Sequence, residues 1–176
     1  KFTLLPIFSD LIPENKEMKK YIEDVRLPYL KELTRPIATT EETLFRRGNF
    51  NGSWDQIICD ALIDVKGAQI SLSPGFRWGT SVMPNQTITF DDLMTQTAMT
   101  YPETYARDIK GSEIKLILED VADNLFNEDP FLQQGGDMVR TGGISYKIDP
   151  KAKIGSRITN IVLSKTGEKL DANKSY

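Results

Sequence analysis

The densest run of polar side chains, Phe45-Arg46-Arg47-Gly48-Asn49-Phe50-Asn51-Gly52, lies between a threonine-rich stretch and the start of a helical pattern. Arg46 and Arg47 offer two guanidinium forks, and Asn49 and Asn51 two amides. The first turn of the following helix adds free N–H groups. Together these are the groups that grip a sulfate, sulfonate or phosphate. The same residues also suit a capped, charged loop that binds nothing, because helix starts recruit Asn, Ser and Gly for structural reasons. A second loop, Pro74-Gly75-Phe76-Arg77-Trp78-Gly79, follows a short strand and puts Arg77 at a strand end, facing a ligand or stacked on an aromatic ring.

Other chemistry is thin. Histidine is absent from all 176 residues, which removes the commonest metal ligand, the commonest general base and every Ser-His or Cys-His pair. Asp60 with Asp64, and Glu119 with Asp123, recur at helical spacing and read as solvated helix faces. No Cys/Asp/Glu cluster has metal-ligand spacing, so neither a catalytic group nor a metal site is expected within these residues. Gly135-Gly136-Asp137 lacks the strand-loop-helix order and the following Lys-Ser/Thr of a phosphate loop, and reads as a turn. Cys59, the single cysteine, excludes an internal disulfide, leaves the compartment open and reads as a packed, inert thiol. A net charge of -3 with dispersed Lys and Arg gives no footprint for nucleic acid, and no apolar run is long enough to span a bilayer.

These residues must be positioned by elements that intermingle without regular alternation. Met18, Tyr21, Ile22, Val25, Tyr29, Leu30 and Leu33 follow helical spacing, with Pro28 kinking or splitting the helix before Pro36. A strand is predicted from Ile37 to Phe45. A helix follows whose stripe is Trp54, Ile57, Ile58, Ala61, Leu62 and Val65, with Cys59 and Ile63 off it, ending at Gly67. A strand is predicted over 68–73, a short helix capped by Thr89, and strand character over 101–109. Ser112 is expected to cap a helix carrying Ile114, Ile117, Leu118, Val121, Ala122 and Leu125. A hairpin pairs 144–148 with 157–163, with a return strand after Lys165-Thr166-Gly167. The composition, 39% hydrophobic and 27% charged, suits one core, and the pattern predicts an α+β fold with a mixed β-sheet flanked by helices. The chain opens directly on strand-like Phe2-Thr3-Leu4-Leu5 and runs out at Lys174-Ser175-Tyr176 without a turn or cap, so both ends read as cut from something longer.

Leu44 through Leu62, Ser73-Pro74-Gly75-Phe76-Arg77-Trp78-Gly79, Thr100-Tyr101-Pro102-Glu103-Thr104-Tyr105, and Ile117 through Gly143 closely resemble the C-terminal domain of the SoxB thiosulfohydrolases, relatives of the 5'-nucleotidases. The likeness covers nearly all of residues 36–176. Residues 1–35 resemble the last strand and the connecting, interdomain helix of a preceding metallophosphoesterase domain. The resemblance implies an intact periplasmic hydrolase in which two manganese ions are held by His, Asp and Asn of that preceding domain. It also implies a substrate, cysteine S-thiosulfonate on the SoxYZ carrier protein, from which sulfate is released. This half then supplies substrate contacts: Arg77 matches the arginine of the nucleotidases' Gly-Gly-Ile-Arg loop, and Arg46, Arg47, Asn49 and Asn51 occupy the corresponding polar loop. The fragment alone is expected to be inactive. One departure favours a flexible arm over a nucleobase, since the first ring of the nucleotidases' aromatic clamp falls on Thr100 and the second beyond Tyr176. The C-terminal domain of a 5'-nucleotidase or nucleotide-sugar phosphohydrolase, and a stand-alone anion- or carrier-binding module, stay open as alternatives.

Overall fold

In a computed structural model of the chain, which describes residues 2–8, 10–76, 79–97 and 103–176, helix α1 (Lys16–Arg26) opens where the Asn15 side chain accepts the Met18 N–H at 2.9 Å. Pro28 has no N–H to give to an α-helical ladder, so the chain tightens into a 3-10 turn (Leu27–Tyr29) before a short α2 (Leu30–Leu33). The split expected at Pro28 is therefore present. No residue of α1 is buried, and Met18, Tyr21, Ile22 and Val25 stay exposed.

Strand β1 (Pro36–Thr39) pairs antiparallel with β3 (Thr87–Thr89), which leads into α4 (Phe90–Thr97). The strand predicted to reach Phe45 stops six residues early. The Thr40 hydroxyl donates to Glu42 O (2.6 Å) and accepts the Glu42 N–H (3.2 Å), a local turn that competes with the ladder, and only an isolated Leu44–Val82 bridge follows. Thr89 caps α4 as expected, exchanging hydrogen bonds with Asp92. Helix α3 (Ser53–Lys66) ends at Gly67 in the left-handed conformation, also as expected.

Strand β2 (Ser71–Ser73) pairs antiparallel with β4 (Arg140–Gly142), and β5 (Ile144–Ile148) with β6 (Ile158–Leu163). The α+β class holds. Among the described residues the sheet component is three two-stranded antiparallel pairs. Gly143, at the junction of β4 and β5, has φ +77°, and a Cβ there would sit 2.1 Å from Gln69 O, so only glycine fits. The return strand after Gly167 amounts to a single Val162–Lys169 bridge, and residues 103–109 carry no strand beyond the mutual pairing of Ile109 and Tyr176.

Helix α5 (Gly111–Phe126) starts two residues earlier than a Ser112 cap allows: Lys110 is the N-cap, and its N–H is taken by Glu113. Its stripe, Ile114, Leu118 and Ala122, packs on Met138 and on Ile144, Ile158, Ile161 and Leu163 of the β5–β6 hairpin. A smaller core joins Leu44, Trp54, Val82 and Ile88. The carboxylates on α5 do not form the solvated face expected. Glu119 is buried and accepts the backbone N–H groups of Arg157 (3.1 Å) and Ile158 (2.8 Å). Asp123 pairs with the buried Arg157 guanidinium at 2.6 Å. By contrast, Asp60 and Asp64 on α3 are exposed. No helix among the described residues is long and apolar enough to cross a membrane.

The hydrogen bonds from Arg157 and Asn127 hold the Asp123 carboxyl below the usual carboxylate range. A group with a depressed folded-state pKa stabilises above its unfolded value, about 4, and that stabilisation is lost as the pH falls through the lower folded value. Asp123→Asn is accordingly expected to lower the urea midpoint at about pH 7, with the gap from the parent protein closing as the pH falls below about 4. A gap independent of pH in that window would mean that the ion pair does not contribute.

Candidate functional site

The loop from Phe45 to Gly52 is folded back on the start of α3. Ser53 Oγ accepts the Phe45 N–H (3.0 Å) and donates to Thr43 O (2.8 Å), while Phe45 O accepts the Trp54 N–H. A Cβ on Gly52 would lie 2.2 Å from Phe45 O, so this crossing requires glycine. Gly52 also serves as the N-cap residue, and the Asp55 carboxylate accepts its N–H at 2.9 Å.

Asp55 does more than cap. Its side chain is fully buried between two equally buried guanidiniums, Arg46 Nε at 2.8 Å and Arg140 Nε at 3.2 Å. Arg46 is thereby turned inward, away from the solvent-facing position expected of a ligand contact. Its Nη1 donates to Gln96 O (2.6 Å) and its Nη2 to Pro74 O (3.4 Å), with the Phe76 ring 5.5 Å from its Cζ. Arg140 Nη2 donates to Gly48 O (2.8 Å) and to Arg46 O (3.5 Å), whereas its buried Nη1, and its Nε despite the ion pair with Asp55, make no hydrogen bond.

Asn51 is also engaged. Its side-chain amide donates to Thr141 O (2.9 Å) and accepts the Thr141 N–H (3.2 Å), so it stitches the loop to β4 as a strand neighbour would. Arg47 and Asn49 are different. Both are exposed at a turn that Gly48 makes with φ +125°, and their side chains have no hydrogen-bond or ion-pair partner among the described residues. The turn itself is held by backbone, with Asn49 O accepting the Met138 N–H at 2.8 Å. Arg77 lies outside the described residues, as do Trp78, Thr100 and Tyr101. Of the described residues on either side, Pro74 O accepts from Arg46 Nη2, and a Cβ on Gly79 would meet the buried Gln96 amide at 2.7 Å.

The sequence reading missed Asp55, Gln96 and Arg140. Asp55 was visible as the third helical residue after a glycine cap, and Arg140 as a lone charge in the run Met138-Val139-Arg140-Thr141-Gly142. Nothing local marks Gln96. On α3 the buried face is Trp54, Asp55 and Cys59, while Ile57 and Val65 of the expected stripe are exposed. Cys59 lies against Gly142, and burial pushes its thiol up to about 11, so it holds no thiolate at neutral pH. Among the described residues, no three His, Cys, Asp or Glu side chains are grouped to hold a metal ion.

Exposed Arg47 and Asn49 thus stand on a scaffold of buried charge. Among solved structures, the sulfate thiohydrolase SoxB of Thermus thermophilus superposes with a TM-score of 0.90 at 36% identity, covering 98% of this chain and 32% of that one. A 5'-nucleotidase precursor of the same organism gives 0.69 at 21% identity, covering 93% and 32%. The NAD nucleotidase of Haemophilus influenzae gives 0.63 at 18%, covering 92% and 31%; these two are likenesses of fold alone. The chain thus spans about a third of the length of the structures it resembles. No curated protein matches it. The resemblance to SoxB read from the loop motifs is borne out across the fold. The sequence model described as the 5'-nucleotidase C-terminal domain matches residues 36–176, and this chain belongs to that family.

Proposed function

We propose that this chain is the substrate-recognition domain of a periplasmic dimetal thiosulfohydrolase that releases sulfate from a cysteine S-thiosulfonate on the SoxYZ carrier. Its share of the work is to hold the anion, through Arg47, Asn49 and the Arg77 loop, with Arg46 and Asn51 holding those groups in place. The observation that carries the reading is the unequal likeness: a TM-score of 0.90 at 36% identity to SoxB, against 0.69 at 21% to a nucleotidase. The described residues contain no cluster fit for the two manganese ions, so the ions are assigned to another domain and no bond-breaking step to this one. The exposed apolar face of α1 supports a further domain packed against it.

Arg77→Ala and Arg47→Ala, each made in the full-length, manganese-loaded protein, test the reading. A charge-assisted hydrogen bond to an anion is worth about 1.5–3 kcal/mol, so each variant is expected to lower kcat/KM for a cysteine S-thiosulfonate peptide roughly 10- to 100-fold, with little change in melting temperature. Unchanged kinetics, or a fall in melting temperature that accounts for the loss, would count against it. The family description favours one other reading, a nucleotide phosphohydrolase. Efficient hydrolysis of AMP by the same protein, with no turnover of the thiosulfonate, would establish that one instead.

A further inference from the structure

Two arginines and one aspartate buried at a single point are a poor way to stabilise a fold, because the desolvation of three ions offsets most of their mutual attraction. The return lies in geometry. Arg140 Nη2 donates to the carbonyls of Arg46 and Gly48, the two residues that flank Arg47, and the next backbone contact, Met138 N–H to Asn49 O, comes from the same segment of chain. The planar guanidinium thus holds the peptide group just before Arg47 and the one just after Gly48, and Asp55 in turn pairs with the guanidinium at 3.2 Å. Gly75 closes the other side, since a Cβ there would meet Asp137 Cβ at 2.7 Å and Arg140 Cζ at 3.6 Å. A lysine could keep the charge at this place but not the planar group whose Nε faces Asp55 while its Nη2 reaches both carbonyls.

We infer that Arg140 is a positioning residue for anion recognition, setting the Arg47–Asn49 turn from beneath without touching the ligand. The inference rests on the reading above, in which Arg47 contacts the substrate anion, and extends it to a buried residue that determines affinity through Arg47.

A double-mutant cycle in the full-length, manganese-loaded protein tests this, with thiosulfate as the probe anion and its dissociation constant read by calorimetry. Arg140→Lys is expected to weaken thiosulfate about 5- to 10-fold in the parent background and by less than about twofold in the Arg47→Ala background. A residue that serves stability alone would cost the same factor in both, and that result overturns the inference while leaving the role of Arg47 intact. An Arg47→Ala protein that binds thiosulfate as the parent does would remove the contact itself, and the inference with it. Should Arg140→Lys fail to fold, Arg140→Gln, which keeps a donor for Gly48 O and leaves no second buried cation, takes its place in the same cycle with the same criteria.

Discussion

Asp55→Ala is expected to destabilise the protein by about 3–5 kcal/mol, the range for removing one partner from a buried ion cluster. The carboxylate is the only anion that touches both Arg46 Nε (2.8 Å) and Arg140 Nε (3.2 Å) among the described residues, and all three side chains are sealed from solvent. Without it two guanidiniums face each other across a cavity. Gly52 also loses the acceptor for its N–H, so α3 loses its cap in the same stroke. Asp55→Asn separates the two effects: it keeps the shape and one acceptor oxygen but not the charge, and its cost is expected to fall between those of the parent and the alanine variant. Urea unfolding monitored by Trp54, which is buried beside Asp55 on α3, gives the shift in midpoint. A loss below about 1 kcal/mol for the alanine variant would mean that the two arginines find other partners or water, and that the cluster is not the keystone of the loop.

What could be read from the sequence, and what could not, divides along the range of the interactions involved. Local signals gave the split at Pro28, the Gly67 terminus of α3, the Thr89 cap and the apolar stripe of α5, because each depends on residues within one or two turns of one another. The site failed where long-range partners decide. Arg46 and Arg47 are adjacent and of one type, and only the fold separates them, sending Arg46 to Gln96, fifty residues on, and leaving Arg47 in solvent. Asn51 reads as a ligand contact until Thr141, ninety residues away, claims its amide. The face of α3 was misjudged for a related reason. An apolar-stripe count places Asp55 outside the core, whereas here an aspartate is buried because two arginines from other segments come to meet it. The intermingled elements already pointed to the α+β class, and the resemblance to a known domain bridged part of that gap by adding the particular fold.

Glu119→Ala carries the second large effect, expected at about 3 kcal/mol, and it bears on the opposite core. From the middle of α5, Glu119 reaches the start of β6 and accepts two backbone N–H groups, that of Arg157, just before the strand, at 3.1 Å and that of Ile158, its first residue, at 2.8 Å. Both residues are buried, so the alanine variant strands two donors away from water, each costing about 1–3 kcal/mol. The loss is directional. Ile158 is the residue paired with Ile148 at the loop end of the hairpin, so β5 and β6 should fray there while the strands near Ile144 and Leu163 stay closed. Hydrogen exchange reads this directly: protection of the Arg157 and Ile158 amides is expected to fall in Glu119→Ala, with the amides of α3 unchanged. Glu119→Gln discriminates further, since one acceptor oxygen remains but the new NH2 must confront an N–H, and it should cost about half or more of the alanine value. Uniform loss of protection across both cores would mean that the carboxylate supports the domain as a whole. Protection lost at β6 alone would identify it as the bolt between helix and hairpin, made from a residue that helical spacing assigns to solvent.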